Sequence, residues 1–136
     1  MSSISTFAAE HTIAAPLTAI HATLCDIENT PSWNPAFTSA KATSTPGKFS
    51  IQALGLLRGT LELNQQANTV RMTITLPGLR EESSWHLSSQ GARTRVRHEI
   101  FQQGPLVALI GQHEASLVPG KRLSRLAQVV TTGSLA

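Results

Sequence analysis

Between residues 37 and 103, apolar and polar residues alternate with a period of two, which is typical of half-buried strands. The clearest run covers residues 70–76, where Val, Met, Ile and Leu alternate with Arg and Thr. Short turn signals separate the runs, at Pro46-Gly47, Gly55, Ala67-Asn68, Pro77-Gly78 and Gln90-Gly91. Six strands joined by such short turns predict an antiparallel meander.

The pattern is different on both sides of this meander. Residues 3–13 are rich in strand formers, whereas Leu17, Ile20 and Leu24 repeat at helical spacing after Pro16, and a second short helix or turn follows. From residue 105 onward the helical period returns, and we expect Pro119-Gly120 to kink or break this last helix. Its predicted apolar stripe contains Leu106, Leu109, Ile110, His113, Leu117, Leu123, Leu126, Val129 and Val130.

This order of elements predicts one α+β domain over residues 1–136, with residues 131–136 as a frayed tail. An antiparallel sheet that has one polar face must cover its apolar face, and only the C-terminal helix is long enough to do so. We therefore predict a curved antiparallel sheet of about seven strands that grips this helix, with two short helices after the first strand. A mostly apolar cavity should lie between sheet and helix.

Composition and charge narrow the function. The formal net charge is only +3 and the aromatic residues are four Phe and two Trp, without the clustered charge and stacking platforms of nucleic-acid binders. No run approaches 18 apolar residues and the N-terminus does not resemble a signal peptide, so we expect a cytoplasmic protein without membrane insertion. Cys25 is the single cysteine, and no metal-ligand spacing occurs among the five His. We expect no bound metal and no cofactor. The sequence is compatible with both a monomer and a homodimer.

His98 is the polar residue with the most chemical interest, because the alternation places it on the inward face of the last strand. One register of the last hairpin puts Glu81 opposite His98, and another puts Ser83 there; either pair could form a hydrogen bond. His98 and Glu81 are therefore the candidate catalytic residues, as a general acid–base pair. The alternative is a polar pair that supports the fold or orients a ligand.

Contacts to a ligand are expected from residues on the inward faces of the strands and of the last helix. His113 could help His98 to hold a polar group of the ligand, and Trp33 could form an aromatic wall, although both Trp residues could also serve as core. The predicted contact residues are Trp33, Phe49, Ile51, Leu61, Met72, Ile74, Ser83, Trp85, His98, Leu109 and His113.

Three short motifs and the order of elements resemble the START-related superfamily, also called SRPBCC or helix-grip, and within it the polyketide cyclase/dehydrase-like group. The first motif is residues 14–16 (AAP) followed by Ile20, Leu24 and Asp26. The second is residues 33–35 (WNP), and the third is residues 91–96 (GARTRV) leading to Gly104. The resemblance covers nearly the whole chain.

The resemblance implies a cavity for an apolar or aromatic small molecule between sheet and helix, but it does not specify a reaction. Related domains include aromatases, cyclases and carriers of lipids or hormones. This chain departs from the cyclases because it has no Tyr and because the strand alternation directs Arg58, Arg71, Arg93, Arg95 and Arg97 outward. We predict binding of a small hydrophobic ligand; the alternatives are a cyclase/aromatase-type enzyme and a protein-interaction domain that uses an apolar patch near the helix break.

Overall fold

The computed structural model describes residues 3–132, except the Ser3 side chain, as a curved seven-stranded antiparallel sheet with helices packed on one face. The strand order is β1-β7-β6-β5-β4-β3-β2, so that β2 to β7 form a meander and β1 pairs with β7. The strands are β1 (Ser3–Ile13), β2 (Phe37–Ala42), β3 (Lys48–Ala53), β4 (Leu57–Gln66), β5 (Thr69–Leu76), β6 (Leu79–Gln90) and β7 (Arg93–Gly104). The helices are α1 (Leu17–Cys25), a 3-10 helix (Ile27–Ser32), α2 (Pro105–Ile110) and α3 (Gln112–Thr132).

The predicted α+β fold class is confirmed, and so is the predicted division of strands β3 to β7 into an inward and an outward face. Val70, Met72, Ile74 and Leu76 are all buried, while the arginines that were expected to point outward are exposed. Because the side-chain period of a strand is fixed at two, this division depends on local sequence only. The inward face carries the core together with a few polar residues of β6 and β7, which matter for the site below.

The register of the β6–β7 hairpin differs from both predicted registers. Gln90 pairs with Arg93 across a two-residue turn, in which Gly91 has φ 69°. Trp85 therefore lies opposite His98, and Glu81 lies opposite Gln102. The predicted direct cross-strand pairing of His98 with Glu81 or Ser83 is wrong, because a tight turn shifts the register while it leaves the inward face unchanged.

The break in the C-terminal helical region also lies elsewhere than predicted. α2 ends at Gly111, which has φ 86° and ψ 153° and so cannot continue a helix, whereas α3 runs without interruption through the buried Pro119. The predicted stripe is confirmed for Leu123 and Leu126, which are fully buried. It is wrong for Leu109, His113 and Leu117, because it assumed one helical phase across Gly111: Leu109 is 82% exposed, and the other two also lie outward. The buried residues of α3 are Ala115, Pro119, Arg122, Leu123 and Leu126.

The junction between β7 and α2 depends on a close backbone approach. Gly104 has φ 122°, and a Cβ there would lie 2.4 Å from the carbonyl oxygen of Gly78. The amide of Leu106 donates to the same oxygen at 2.9 Å, so that α2 starts directly over the β5–β6 turn. This contact fixes where α2 and α3 begin to cross the sheet.

The chain is helical up to the last residue that the structure describes, Thr132. The predicted frayed tail begins in helical residues, Thr131 and Thr132, and its remaining residues 133–136 lie outside the described residues. Within residues 3–132, no helix combines the length and the apolar character that crossing a bilayer would require.

Candidate functional site

A cavity of about 230 Å³ lies between the sheet and the helices α2 and α3. Engineered apolar cavities of about 150 Å³ accept benzene, and drug-sized ligands use roughly 300–1,000 Å³, so this volume suits a molecule of one or two rings. The apolar residues that line it are Pro35, Ala36, Phe37, Ala53, Leu54, Ile74, Leu76, Leu79, Ile110 and Val118. The polar ones are Asn34, Glu81, Gln102, Glu114, Lys121 and Arg122.

A buried ion pair occupies the inner, polar end of the cavity. Arg122 of α3 binds the Glu81 carboxylate of β6 through two hydrogen bonds, Nη1 to Oε2 at 2.6 Å and Nη2 to Oε1 at 3.1 Å. Gln102 Nε2 donates to Oε1 at 2.7 Å, and the Ser83 hydroxyl donates to Oε2. Burial alone would raise the pKa of Glu81, but the charge of Arg122 and these hydrogen bonds outweigh it and lower that pKa to about 2.

His98 lies behind this pair and is fully buried. Its ring stacks on Trp85 with centroids 3.6 Å apart, and Trp33 meets Trp85 edge-on at 5.6 Å. Arg122 Nη1 lies 3.4 Å from His98 Nε2, and a guanidinium can only donate, so Nε2 accepts and Nδ1–H donates to the Ser84 carbonyl oxygen at 3.1 Å. Burial, assisted by the positive charge of Arg122, lowers the pKa of His98 to about 3.

These groups form a cluster, Glu81–Arg122–Ser83–Gln102–His98, that is electrically neutral as a whole. Its carboxylate is ionised and accepts from three side chains, and its imidazole is neutral. The cluster therefore joins α3 to the sheet and presents hydrogen-bonding groups at one end of an apolar cavity. In residues 3–132, no three His, Cys, Asp or Glu side chains are placed to bind a metal ion.

Residues 5–131 match the profile of a family described as polyketide cyclase / dehydrase and lipid transport. The chain belongs to this polyketide cyclase/dehydrase and lipid transport family. The match spans every residue that lines the cavity. No curated protein sequence matches the chain significantly.

Solved structures share the fold of this family member at low sequence identity. A protein of Thermus thermophilus superposes with a TM-score of 0.77 at 19% identity, covering 95% of this chain and 99% of the other. A START superfamily protein from Mycobacterium smegmatis gives 0.72 at 14% identity and covers 94% of each chain. The Zhui aromatase/cyclase from a Streptomyces species gives 0.68 at 12% identity, covering 96% of this chain and 98% of the other.

The predicted site residues fall into three groups in this family member. Ile74 and the candidate catalytic Glu81 line the cavity. Leu109 and His113 lie on the outward sides of α2 and α3. The others do not line the cavity. On the inward face of the sheet they are Phe49, Ile51, Leu61, Met72, Ser83, Trp85 and His98, and Trp33 follows the 3-10 helix and packs edge-on against Trp85. Ligand contact by these residues stays a prediction.

Within the polar cluster, Arg122 and Gln102 are the residues that the sequence pattern was not used to predict. Gln102 follows His98 and Ile100 at the same inward alternation of β7, so the strand pattern contains the signal. Arg122 lies in a helical 4-3-4 spacing with Ala115, Pro119 and Leu126, all of which are buried. A charged residue at a position of this stripe is unusual enough to indicate a buried partner.

Proposed function

We propose that this protein binds one small, largely apolar molecule in the cavity between the sheet and α3. The observation that carries the proposal is the cavity itself: a space of about 230 Å³ with mainly apolar walls that the core side chains leave unfilled. Phe37, Ile74 and Leu79 are buried apolar residues of the cavity wall. The apolar surface of a ligand between them is removed from water, which stabilises the complex through the hydrophobic effect. Membership of a family whose description includes lipid transport supports the same function.

The exposed members of the lining mark where a ligand would enter. Pro35, Leu54, Glu114 and Lys121 combine contact with the cavity and exposure to solvent. Leu54 is 44% exposed and has φ 51°, a conformation that non-glycine residues rarely adopt. The β3–β4 turn therefore holds an apolar side chain at the mouth, which favours entry of an apolar molecule from this side.

Binding is supported more strongly than acid–base catalysis. A general base needs a free lone pair within reach of the substrate. Glu81 is engaged by Arg122, Ser83 and Gln102 and has a pKa of about 2, which makes it a weak base. His98 does not line the cavity, and Nε2, its one acceptor nitrogen, faces Arg122.

Substitution Val118→Trp should abolish binding, because the indole would fill the cavity from α3. Val118 lines the cavity and is only half-buried, so the larger side chain has room to pack without disrupting the core. The measurement is isothermal titration calorimetry with one- and two-ring probes such as 2-naphthamide. We expect the wild-type protein to bind at least one probe and the V118W protein to bind none with comparable affinity.

The matched control is Leu117→Trp, which adds the same ring one residue earlier on the outward side of α3. Leu117 does not line the cavity, so L117W should bind like the wild-type protein. Equal loss of binding in both variants, or no loss in V118W, would contradict the proposed site.

A further inference from the structure

The charges around the cavity cancel. Of the residues that the structure describes, four ionisable side chains line it: two are acidic (Glu81 and Glu114) and two are basic (Lys121 and Arg122). Only the pair at the inner end is buried, with side-chain exposures of 9% for Arg122 and 3% for Glu81. A ligand that reaches the inner end of the cavity therefore contacts Arg122 as part of an ion pair and not as an unpaired cation.

Arg122 nevertheless keeps hydrogen-bonding capacity towards the cavity. Glu81 occupies the end of the guanidinium formed by Nη1 and Nη2, and Nε–H makes no hydrogen bond within the described part of the chain. Among the described residues, the fully enclosed side-chain atoms without a hydrogen-bond partner are Thr30 Oγ1, Trp33 Nε1, Trp85 Nε1 and Gln102 Oε1. Arg122 Nε is not among them, so it is not fully enclosed. The side of the guanidinium formed by Nε–H and the second Nη2 hydrogen therefore stays available to an oxygen acceptor.

The acceptor oxygens beside Arg122 disfavour an anion at the same place. Both Glu81 oxygens are there, and Gln102 Oε1 is buried without a partner among the described residues. The orientation of the Gln102 amide is fixed, because only its Nε2 can donate to the carboxylate. A ligand carboxylate would add a second negative charge to a desolvated site whose buried cation, Arg122, is already paired, and like charges brought together in this way are strongly unfavourable.

We propose that the cavity selects neutral ligands that carry a carbonyl oxygen and rejects the corresponding carboxylates, and that Glu81 is the residue that determines this selectivity. The carbonyl oxygen accepts from the free N–H side of Arg122, while the apolar part of the ligand contacts residues such as Ile74 and Leu79. Glu81 acts by neutralising Arg122. The inference rests on the proposed function, since it concerns the ligand of the same cavity.

Three probes of nearly equal shape test the selectivity at pH 7: 2-naphthamide, 2-acetonaphthone and 2-naphthoate. We expect the two neutral probes to bind the wild-type protein at least about tenfold more tightly than the naphthoate anion, measured by calorimetry. Equal or tighter binding of naphthoate by the wild-type protein would overturn the inference. This comparison needs no variant, so it decides the question even where a variant is unstable.

Substitution Glu81→Gln should reverse the preference, because Arg122 would lose its anionic partner and offer its charge to the ligand carboxylate. We expect naphthoate to bind E81Q at least about tenfold more tightly than it binds the wild-type protein, and to raise the Tm of E81Q more than naphthamide does. Unchanged preference in a folded E81Q protein would refute the role of Glu81.

The matched control is Glu82→Gln, which removes the same charge from the next residue of β6. Glu82 is exposed on the outward face and pairs with Arg80. E82Q should keep the wild-type ranking of the three probes. If all probes bind with equal affinity and V118W abolishes their binding, the proposed function stands and the selectivity is refuted; if no probe binds, both are refuted.

Discussion

Replacing Arg122 by methionine is expected to lower the free energy of unfolding by about 3–5 kcal/mol, because it leaves the ionised Glu81 buried without a compensating charge. The loss corresponds to a decrease in Tm of roughly 10–20 °C for a domain of this size. Urea denaturation at pH 7 measures the free energy, and a thermal melt followed by circular dichroism measures the Tm. A loss below about 1 kcal/mol would contradict the account of the cluster.

The double variant E81Q/R122M is the control for this prediction. It removes both charges, and replacement of a buried pair by uncharged groups is often close to neutral for stability. We therefore expect the double variant to be more stable than R122M alone, although it contains one more substitution. If the losses in free energy of unfolding of E81Q and R122M add up to that of the double variant, Glu81 and Arg122 stabilise the fold independently, in conflict with their direct contact.

Acidification is expected to destabilise the wild-type protein well before Glu81 begins to titrate. The pKa of His98 is lowered from 6.5 to about 3 on folding, so below pH 6.5 the unfolded chain binds a proton that the folded protein excludes. The stabilisation from the neutral His98 is therefore complete above pH 6.5 and is lost as the pH falls towards 3. Between pH 6.5 and 4.5 the loss amounts to roughly 2 kcal/mol, because the slope rises to about 1.4 kcal/mol per pH unit as the unfolded His98 becomes fully protonated.

Glu81 contributes in a lower window. Its pKa falls from 4.5 to about 2 on folding, so its stabilisation is present above pH 4.5 and is lost as the pH falls towards 2. Between pH 6.5 and 4.5 the contribution of His98 to stability therefore decreases while that of Glu81 is still present.

A variant tests the assignment to His98. His98→Asn keeps a donor for the Ser84 carbonyl oxygen and removes the titrating ring. We expect urea denaturation of H98N to show a free energy of unfolding that is lower at pH 7 but depends much less on pH between 6.5 and 4.5. A slope equal to that of the wild-type protein would show that other groups cause it.

The strand pattern is enough to predict the sheet and its inward face. The register of the last hairpin and the phase of the last helices depend instead on local turn residues. Residues 70–76 and the inward His98 follow from the period of two alone. The register of β6 against β7 depends on a two-residue turn at Gly91, and the helix phase depends on Gly111. Neither the type of a turn nor the choice between Gly111 and Pro119 as a helix break follows from hydrophobic periodicity.

The candidate site was less predictable because it is built from contacts between distant parts of the chain. Glu81 and Arg122 are 41 residues apart, and only the packing of α3 on the sheet brings them together. Sequence alternation identified Glu81 and Ile74 as inward residues, but it could not show which inward residues α3 would cover and which would line a cavity. The volume that remains open depends on how all these side chains pack.

The most direct test of the central claim is a methyl NMR titration of the wild-type protein with 2-naphthamide. We predict saturable shift changes at methyl groups that line the cavity, those of Ile74, Leu79 and Val118, and much smaller changes at Leu61 and Val70, which are fully buried elsewhere in the sheet. Changes confined to residues outside the cavity, or no saturable change at any methyl group, would contradict the claim that this cavity is the binding site.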